Sequence, residues 1–145
     1  MQTFLPYPSF RASAMALDNR RLGKQRVEAL QILNALADGS YGWQHHPAVQ
    51  MWRGCEHYLV RYGLTIVEEW KRRGFQDTCM SKIARFWLKY PTPDQSLMWL
   101  TAELCRSHQS NLVRKDPNHY GPQFPDVPNN LPYVWPTQQP TNNNQ

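Results

Sequence analysis

The sequence predicts an all-α protein, a compact single-domain helical fold with an irregular, proline-rich C-terminal segment. Apolar residues recur at helical spacing over much of the 145-residue chain, and no stretch alternates apolar and polar residues as a half-buried strand does. Prolines are frequent beyond residue 116, where regular helix is not expected. The length fits one domain, predicted over residues 1–136, followed by a polar tail at 137–145, TQQPTNNNQ, that has nothing apolar to bury.

The opening stretch, MQTFLPYP, is expected to be extended because of its two prolines. The first long helix is predicted to begin at Ser13 or Asp18, both N-cap residues, and to end at Asp38, before Gly39. Its buried stripe consists of Leu22, Ala29, Leu33 and Leu36.

Three further helices are predicted from helical spacing and from the residues that start and stop helices. They run from Ala48 to Arg73 before Gly74, from Asp77 or Ser81 to Lys89, and from Thr92 or Asp94 to Lys115 before Pro117. The proline-rich segment that follows carries four aromatic residues, which should pack onto the helices or face a ligand: Tyr120, Phe124, Tyr133 and Trp135.

The charge balance favours an anionic partner. Sixteen Lys and Arg against eleven Asp and Glu give a net charge of +5, which fits nucleic acid and equally fits ordinary solubility charge. Three widely spaced cysteines predict reduced thiols rather than a disulfide framework. No apolar run is long enough for a membrane span and the start does not resemble a signal peptide, so a cytoplasmic location is expected, with nucleoid association when the protein is bound to DNA. The protein is expected to be a monomer.

Several cofactor and metal classes lack their motifs. The histidines and cysteines show no zinc-finger, HExxH or zinc-deaminase spacing. No GxGxxG, GxxxxGK[ST] or GxSxG is present. No cofactor and no metal is therefore expected.

The strongest signal is a basic cluster on the first long helix, formed by Arg20, Arg21, Lys24 and Arg26, with one acid, Glu28. Helical spacing puts Arg21, Lys24 and Glu28 on one flank of the apolar stripe. Arg26 lies near that stripe, so its guanidinium requires a carboxylate or backbone partner, or points into a cleft. Glu28 is either the structural counter-ion of Arg26 or a catalytic carboxylate in an electropositive pocket.

The loop before the second helix carries His45 and His46, and Arg53 follows within that helix. These residues are candidates for contacting phosphates or polarising a base, but a capping loop whose imidazoles bond backbone carbonyls is the favoured interpretation. The neighbouring Trp43 suits base stacking.

Four blocks of sequence resemble, in order, the landmarks of the pyrimidine-dimer DNA glycosylase family, the phage endonuclease V type of repair enzyme. They are the segment from Leu22 to Glu28, YGWQHHPAVQMW from Tyr41, KRRGF from Lys71 and HQSNLVRKDPNHY from His108. The opening MQTFLPYP and the closing LPYVWP resemble a bacterial and phage subgroup. The resemblance extends from Met1 to Trp135.

This resemblance implies a mainly helical domain that binds double-stranded DNA containing a damaged or modified base. It implies N-glycosyl bond cleavage followed by strand cleavage at the abasic site. The family's catalytic glutamate falls on Glu28, which would stabilise positive charge on the sugar while the helix's basic residues engage phosphates. The implied DNA contacts are Arg20, Arg21, His45, His46, Arg53, Arg114, Lys115 and Trp135.

Two positions depart from the family pattern. The family's nucleophile is the α-amine of a threonine exposed by removal of the initiator methionine, whereas this chain begins Met-Gln, and a bulky second residue hinders that removal. The amine of Met1 is then the expected nucleophile, with Lys24 as a competing amine and water activated by Glu28 as a third route. Val27 stands where the family has an arginine, and Arg26 or Arg21 is expected to supply that charge.

Two other functions stay open at this stage. One is a non-catalytic duplex-binding protein that keeps the fold without the nucleophile. The other is a glycosylase for a phage-modified base.

Overall fold

The structure, a computed structural model, describes residues 1–93 and 96–136. Within these ranges it is all-helical, as predicted, with seven α-helices, one 3₁₀ turn and no strand. The predicted tail, 137–145, and Asp94 lie outside the described residues, and the domain boundary at 136 stays a prediction. None of the described helices has the length and apolar character needed to cross a membrane.

The predicted first helix is two helices, α1 (Phe10–Ala16) and α2 (Asn19–Ala37). Asp18 caps α2, because its carboxylate accepts the backbone N–H of Arg21, and α2 ends before Asp38 as predicted. The prediction of Ser13 as an N-cap is wrong. Ser13 lies inside α1, and its hydroxyl exchanges hydrogen bonds with the backbone of Tyr7.

The predicted second helix is also divided, into α3 (Pro47–Trp52) and α4 (Glu56–Arg72). Gly54 has a φ of 86°, a left-handed conformation that cannot continue an α-helix and that glycine adopts without steric cost. Apolar periodicity continues across this break, which is why the sequence predicted one helix.

The remaining helices are shorter than predicted. The third is α5 (Met80–Ala84), which continues as a 3₁₀ turn (Arg85–Leu88), and the carboxylate of Asp77 accepts the N–H groups of Cys79 and Met80 at its start. The next, α6 (Ala102–Lys115), begins after its N-cap Thr101, so the predicted start at Thr92 is wrong. Beyond it, Pro117–Tyr120 forms a single helical turn, α7, in a segment predicted to be irregular.

The core lies between α2 and α4, with α1, α3 and α5 packed around this pair. Three of the four predicted stripe residues on α2 are fully buried, and Leu36 is partly buried. Gly23 allows the close approach of the two central helices, because a Cβ atom there would lie 2.8 Å from the ring of Trp70 on α4. This packing fixes the rotation of α2 and therefore the direction in which Glu28 points.

The C-terminal aromatic residues pack back onto the helices, which was one of the two predicted outcomes. Tyr120 and Phe124 are buried, and Tyr133 and Trp135 are half-buried against the core. The Tyr120 hydroxyl contacts Asp18, at the start of α2. The chain downstream of α6 therefore closes over the N-terminal end of α2.

Candidate active site

The extended N-terminal segment runs through the interior and is held there by side chains. The Gln25 amide bonds the backbone on both sides of Thr3: its Nε2 donates to the Gln2 carbonyl at 2.8 Å, and its Oε1 accepts the Phe4 N–H at 3.0 Å. The Tyr62 hydroxyl lies 2.8 Å from the Phe4 carbonyl. Because these backbone groups cannot reach water, their side-chain partners fix the first residues of the chain in place.

Other helices hold the same segment. The Nδ1 atom of His108 on α6 accepts the Leu5 N–H at 2.9 Å, and the indole of Trp52 on α3 donates to the Thr3 hydroxyl at 2.9 Å. Burial lowers the pKa of His108 to about 3, so the ring is neutral near pH 7 and can accept at Nδ1. Side chains from four helices therefore hold residues 2–5 in the interior.

Glu28 meets the start of this segment. Its side chain is nearly buried, and Oε1 accepts two hydrogen bonds, from the backbone N–H of Gln2 at 3.0 Å and from the side-chain Nε2 of Gln25 at 3.4 Å. The other oxygen, Oε2, lies 3.8 Å from the ammonium of Lys24, one helical turn earlier. The carboxylate therefore sits beside the first peptide of the chain.

A cleft of about 340 Å³ opens at this point, within the size range of small-ligand pockets. Met1, Gln2 and Glu28 line its inner wall, and Phe4, Gln25 and Tyr133 complete it. Four cationic side chains surround the single carboxylate: Arg20, Arg21, Lys24 and Lys115. Such a cleft attracts a polyanion while it keeps one acid aimed at the bound group.

These four cations are held differently. Arg20 and Lys115 are exposed, and the Lys24 side chain is 72% exposed although its ammonium lies near Glu28. Arg21 is half-buried and paired with Asp18 at 3.2 Å. The charge of Arg21 is therefore fixed by an ion pair, whereas the other three cations are presented to solvent.

The prediction that Arg26 acts beside Glu28 is wrong. Its guanidinium pairs with Asp77 at 2.6 Å, lies 4.4 Å from the centre of the Trp70 ring and does not line the cleft. The expectation of a carboxylate partner is confirmed, but that partner is Asp77 rather than Glu28. Glu28 is therefore not the counter-ion of Arg26, and the cation that it pairs with is Lys24.

The two predicted loop histidines, His45 and His46, have different environments. His46 is the N-cap of α3, which confirms the capping role, but its Nδ1 accepts the backbone N–H of Ala48 at 3.0 Å rather than bonding a backbone carbonyl. Burial lowers the pKa of His46, and the positive charge of the N-terminal amine lowers it further, against an opposing effect of Glu28. His46 therefore lies close enough to the cleft to sense both groups, whereas His45 is exposed and does not line it.

Three other predicted contact residues lie outside the cleft lining. Arg53 follows α3 at the surface. The Arg114 guanidinium binds the Asn129 carbonyl at 3.0 Å and the Asn111 side chain, and so anchors the C-terminal segment. Trp135 is half-buried between His46 and Tyr133.

Sequence reasoning missed the polar side chains that hold the N-terminus, namely Gln25, Tyr62 and His108. Gln25 precedes Glu28 by three residues and shares its face of α2, so helical spacing was the available signal.

The cysteines are all free and buried. Among the described residues, no group of three or more His, Cys, Asp or Glu side chains is placed to hold a metal ion.

Comparison with known protein families gives a match. The sequence model of a family described as pyrimidine dimer DNA glycosylase matches residues 1–83, a range that includes the N-terminal segment, α1 to α4 and Glu28. Lys115 and Tyr133, which complete the cleft, lie beyond the matched range. No curated protein and no solved structure matches the chain.

Proposed function

The chain belongs to the pyrimidine dimer DNA glycosylase family, and on that premise we propose that it cleaves the N-glycosyl bond of a damaged pyrimidine in double-stranded DNA. The single observation that carries this proposal is the hydrogen bond between the Glu28 carboxylate and the first peptide N–H of the chain, in a cleft lined by cations. In this family the damaged base belongs to DNA, and the lesion is proposed here to be a pyrimidine dimer.

The proposed nucleophile is the α-amine of Met1, which lines the cleft beside Glu28. A neutral amine attacks C1′ of the damaged nucleotide, the new N–C1′ bond replaces the bond to the base, and the base departs with its bonding electrons and takes up a proton. Glu28 stabilises the positive charge that develops on the sugar. The nitrogen then loses one proton, its lone pair forms the C=N bond as the C1′–O4′ bond of the sugar breaks, and O4′ takes up a proton, which gives a protonated imine. Removal of a C2′ proton and departure of the 3′-phosphate from this imine cleave the strand.

The neighbouring peptide allows a second form of the same chemistry. The backbone nitrogen of Gln2 is 3.0 Å from Glu28 Oε1. Removal of Met1 would convert this nitrogen into the N-terminal amine at the same position. The proposal therefore requires an N-terminal amine at the cleft, and the bulk of Gln2 favours the amine of Met1.

The proposed DNA contacts follow the exposed cations of the cleft. Arg20, Lys24 and Lys115 are proposed to bind phosphates around the damaged nucleotide, because all three are exposed at the cleft. Arg53 and Arg114 are proposed as outer contacts only. The charge of Arg21 is proposed to orient the bound strand.

The test is release of the base from defined duplexes. Wild-type protein is incubated with duplexes that carry a cyclobutane pyrimidine dimer, an abasic site, other modified pyrimidines or no damage, and base release and strand cleavage are measured separately. The cyclobutane ring keeps the cut base joined to its neighbour, so base release from the dimer means loss of its N-glycosyl bond, measured as an alkali-labile abasic site or as free pyrimidine after photoreversal. The dimer duplex is expected to lose this bond, and Glu28→Gln should abolish that loss. Glu68→Gln is the matched control, because the Glu68 side chain is 62% exposed and lies outside the cleft.

Two outcomes would overturn the proposal. Binding of every duplex without release of any base would favour a non-catalytic duplex-binding protein. Release of a modified base but never of a dimer would favour a glycosylase for that modification.

A further inference from the structure

A row of aromatic rings leads from the cleft to the protein surface. Tyr133 lines the cleft, and its ring lies 5.6 Å from that of Trp135. The row continues from Trp135 to His46 at 6.4 Å, and from His46 to Trp43 at 5.8 Å. Trp43 stands at the outer end with 57% of its surface exposed.

The backbone of Trp43 is strained. Its φ of 73° is in the left-handed region, and no other non-glycine residue in the described parts of the chain has a positive φ. For a bulky residue this conformation is unfavourable, and it persists only where the surroundings enforce it. Neither burial nor tight packing of the indole accounts for it, because most of the ring is in solvent.

The loop that carries Trp43 is clamped by its neighbour. The Gln44 side-chain amide lies within hydrogen-bonding distance of three carbonyl oxygens, those of Ala35 at 2.5 Å, Asp38 at 2.9 Å and Tyr41 at 3.2 Å. These contacts join the loop to the end of α2. The indole is therefore presented at a fixed position beside the cleft rather than on a freely moving loop.

We propose that the Trp43 indole stacks on a nucleobase of the DNA at the lesion, as a platform next to the cleft that holds the damaged nucleotide. The inference rests on the proposed glycosylase function. An exposed indole suits this ligand because every base offers an aromatic face, and removal of a damaged nucleotide from the helix leaves neighbouring bases unstacked. The strained loop keeps the ring rigid, which reduces the entropy lost when it stacks.

The experiment is a double-mutant cycle that combines removal of the Trp43 indole with removal of one base from the DNA. Affinities of wild type and Trp43→Asn are measured for a duplex with an uncleavable tetrahydrofuran abasic site. The measurement is repeated with duplexes that also lack one further base, opposite the abasic site or immediately 5′ or 3′ to it. Asparagine tolerates left-handed backbone, so this variant should fold without the strain of the wild type.

Trp43→Asn is expected to weaken binding of the first duplex by roughly 5- to 150-fold. On the duplex that lacks the stacked base, the loss of affinity caused by Trp43→Asn should shrink to within about twofold, because the base that the indole contacts is already absent. Trp43→Phe should retain most of the affinity. Leu88→Ala is the control: Leu88 is 89% exposed and apolar but lies outside the cleft, so its replacement should not change binding.

Base release from the dimer duplex by wild type is measured in parallel. If wild type releases the base but Trp43→Asn binds as tightly as wild type, or loses the same affinity on every base-deleted duplex, the stacking role is overturned and the glycosylase function stands. If wild type neither releases a base nor prefers damaged DNA, both are overturned.

Discussion

Replacement of Glu28 by glutamine tests whether this carboxylate serves chemistry or folding. The amide oxygen of glutamine can still accept the Gln2 N–H that Glu28 Oε1 accepts at 3.0 Å. What is lost is the charge and its pairing with Lys24 at 3.8 Å, and because Lys24 is exposed that pair contributes at most about 1 kcal/mol. The melting temperature should therefore fall by no more than about 2–5 °C.

The effect on catalysis should be much larger. Loss of a charged group that stabilises a developing charge costs on the order of 100- to 1,000-fold in rate. Single-turnover base release should fall by at least that factor in Glu28→Gln, while the affinity for duplex DNA stays within a few-fold, since phosphate contacts dominate affinity. Calorimetry, fluorescence anisotropy and quantification of alkali-labile abasic sites in the dimer duplex measure the three quantities on one preparation.

Lys24→Met is the control that separates the ion pair from the carboxylate. It removes the same pairing but leaves the acid in place, so it should match the small stability change of Glu28→Gln without its loss of base release. A loss of unfolding free energy above about 3 kcal/mol in Glu28→Gln would identify Glu28 as a structural anchor of the N-terminus. Base release within tenfold of wild type would equally refute the reasoning.

Three other predictions follow from charges and burial. Arg20→Ala and Lys24→Ala should each lower the slope of log K against log salt by about 0.9, measured by anisotropy, whereas Arg85→Ala, in a different cleft, should leave it unchanged. Because the pKa of His108 falls from 6.5 to about 3 on folding, acid below pH 6.5 should reduce the free energy of unfolding by up to about 1.4 kcal/mol per pH unit. Urea titrations of His108→Gln should show a smaller slope between pH 6.5 and 5, and an unchanged slope would contradict the assignment. The Arg72 pairing lowers the pKa of Glu69 from 4.5 to about 2, so its stabilisation should be complete above pH 4.5 and lost toward pH 2, and Glu69→Gln should remove that acid sensitivity.

The parts of the fold set by local sequence were predictable. Asp18 caps α2, Gly74 follows the end of α4, and the apolar stripe of α2 is buried, because caps, stops and periodicity are all read within a few residues. The break at Gly54 was missed because a glycine inside a periodic pattern does not reveal its backbone angle. The start of α6 was placed too early because LMWL is apolar enough to read as helix.

The site was predictable only in its charged residues. The basic cluster and Glu28 are close in sequence, so helical geometry places them together before any tertiary structure is known. The contacts that bring the N-terminus to Glu28 join residues far apart, such as Leu5 and His108, and no local pattern encodes them. The same limit applies to Arg26, whose need for a carboxylate was evident while its partner, Asp77, was not.

The most direct test of the central claim is to locate the amine that forms a covalent intermediate. Wild-type protein is reacted with a dimer-containing duplex in the presence of borohydride, and the adduct is digested and mapped by mass spectrometry, with intact mass reporting whether Met1 is retained. DNA should be linked to the N-terminal α-amine, and trapping should survive Lys24→Met but disappear when that amine is acetylated. An adduct on Lys24, or base release that persists without any adduct after acetylation, would contradict attack by the N-terminal amine.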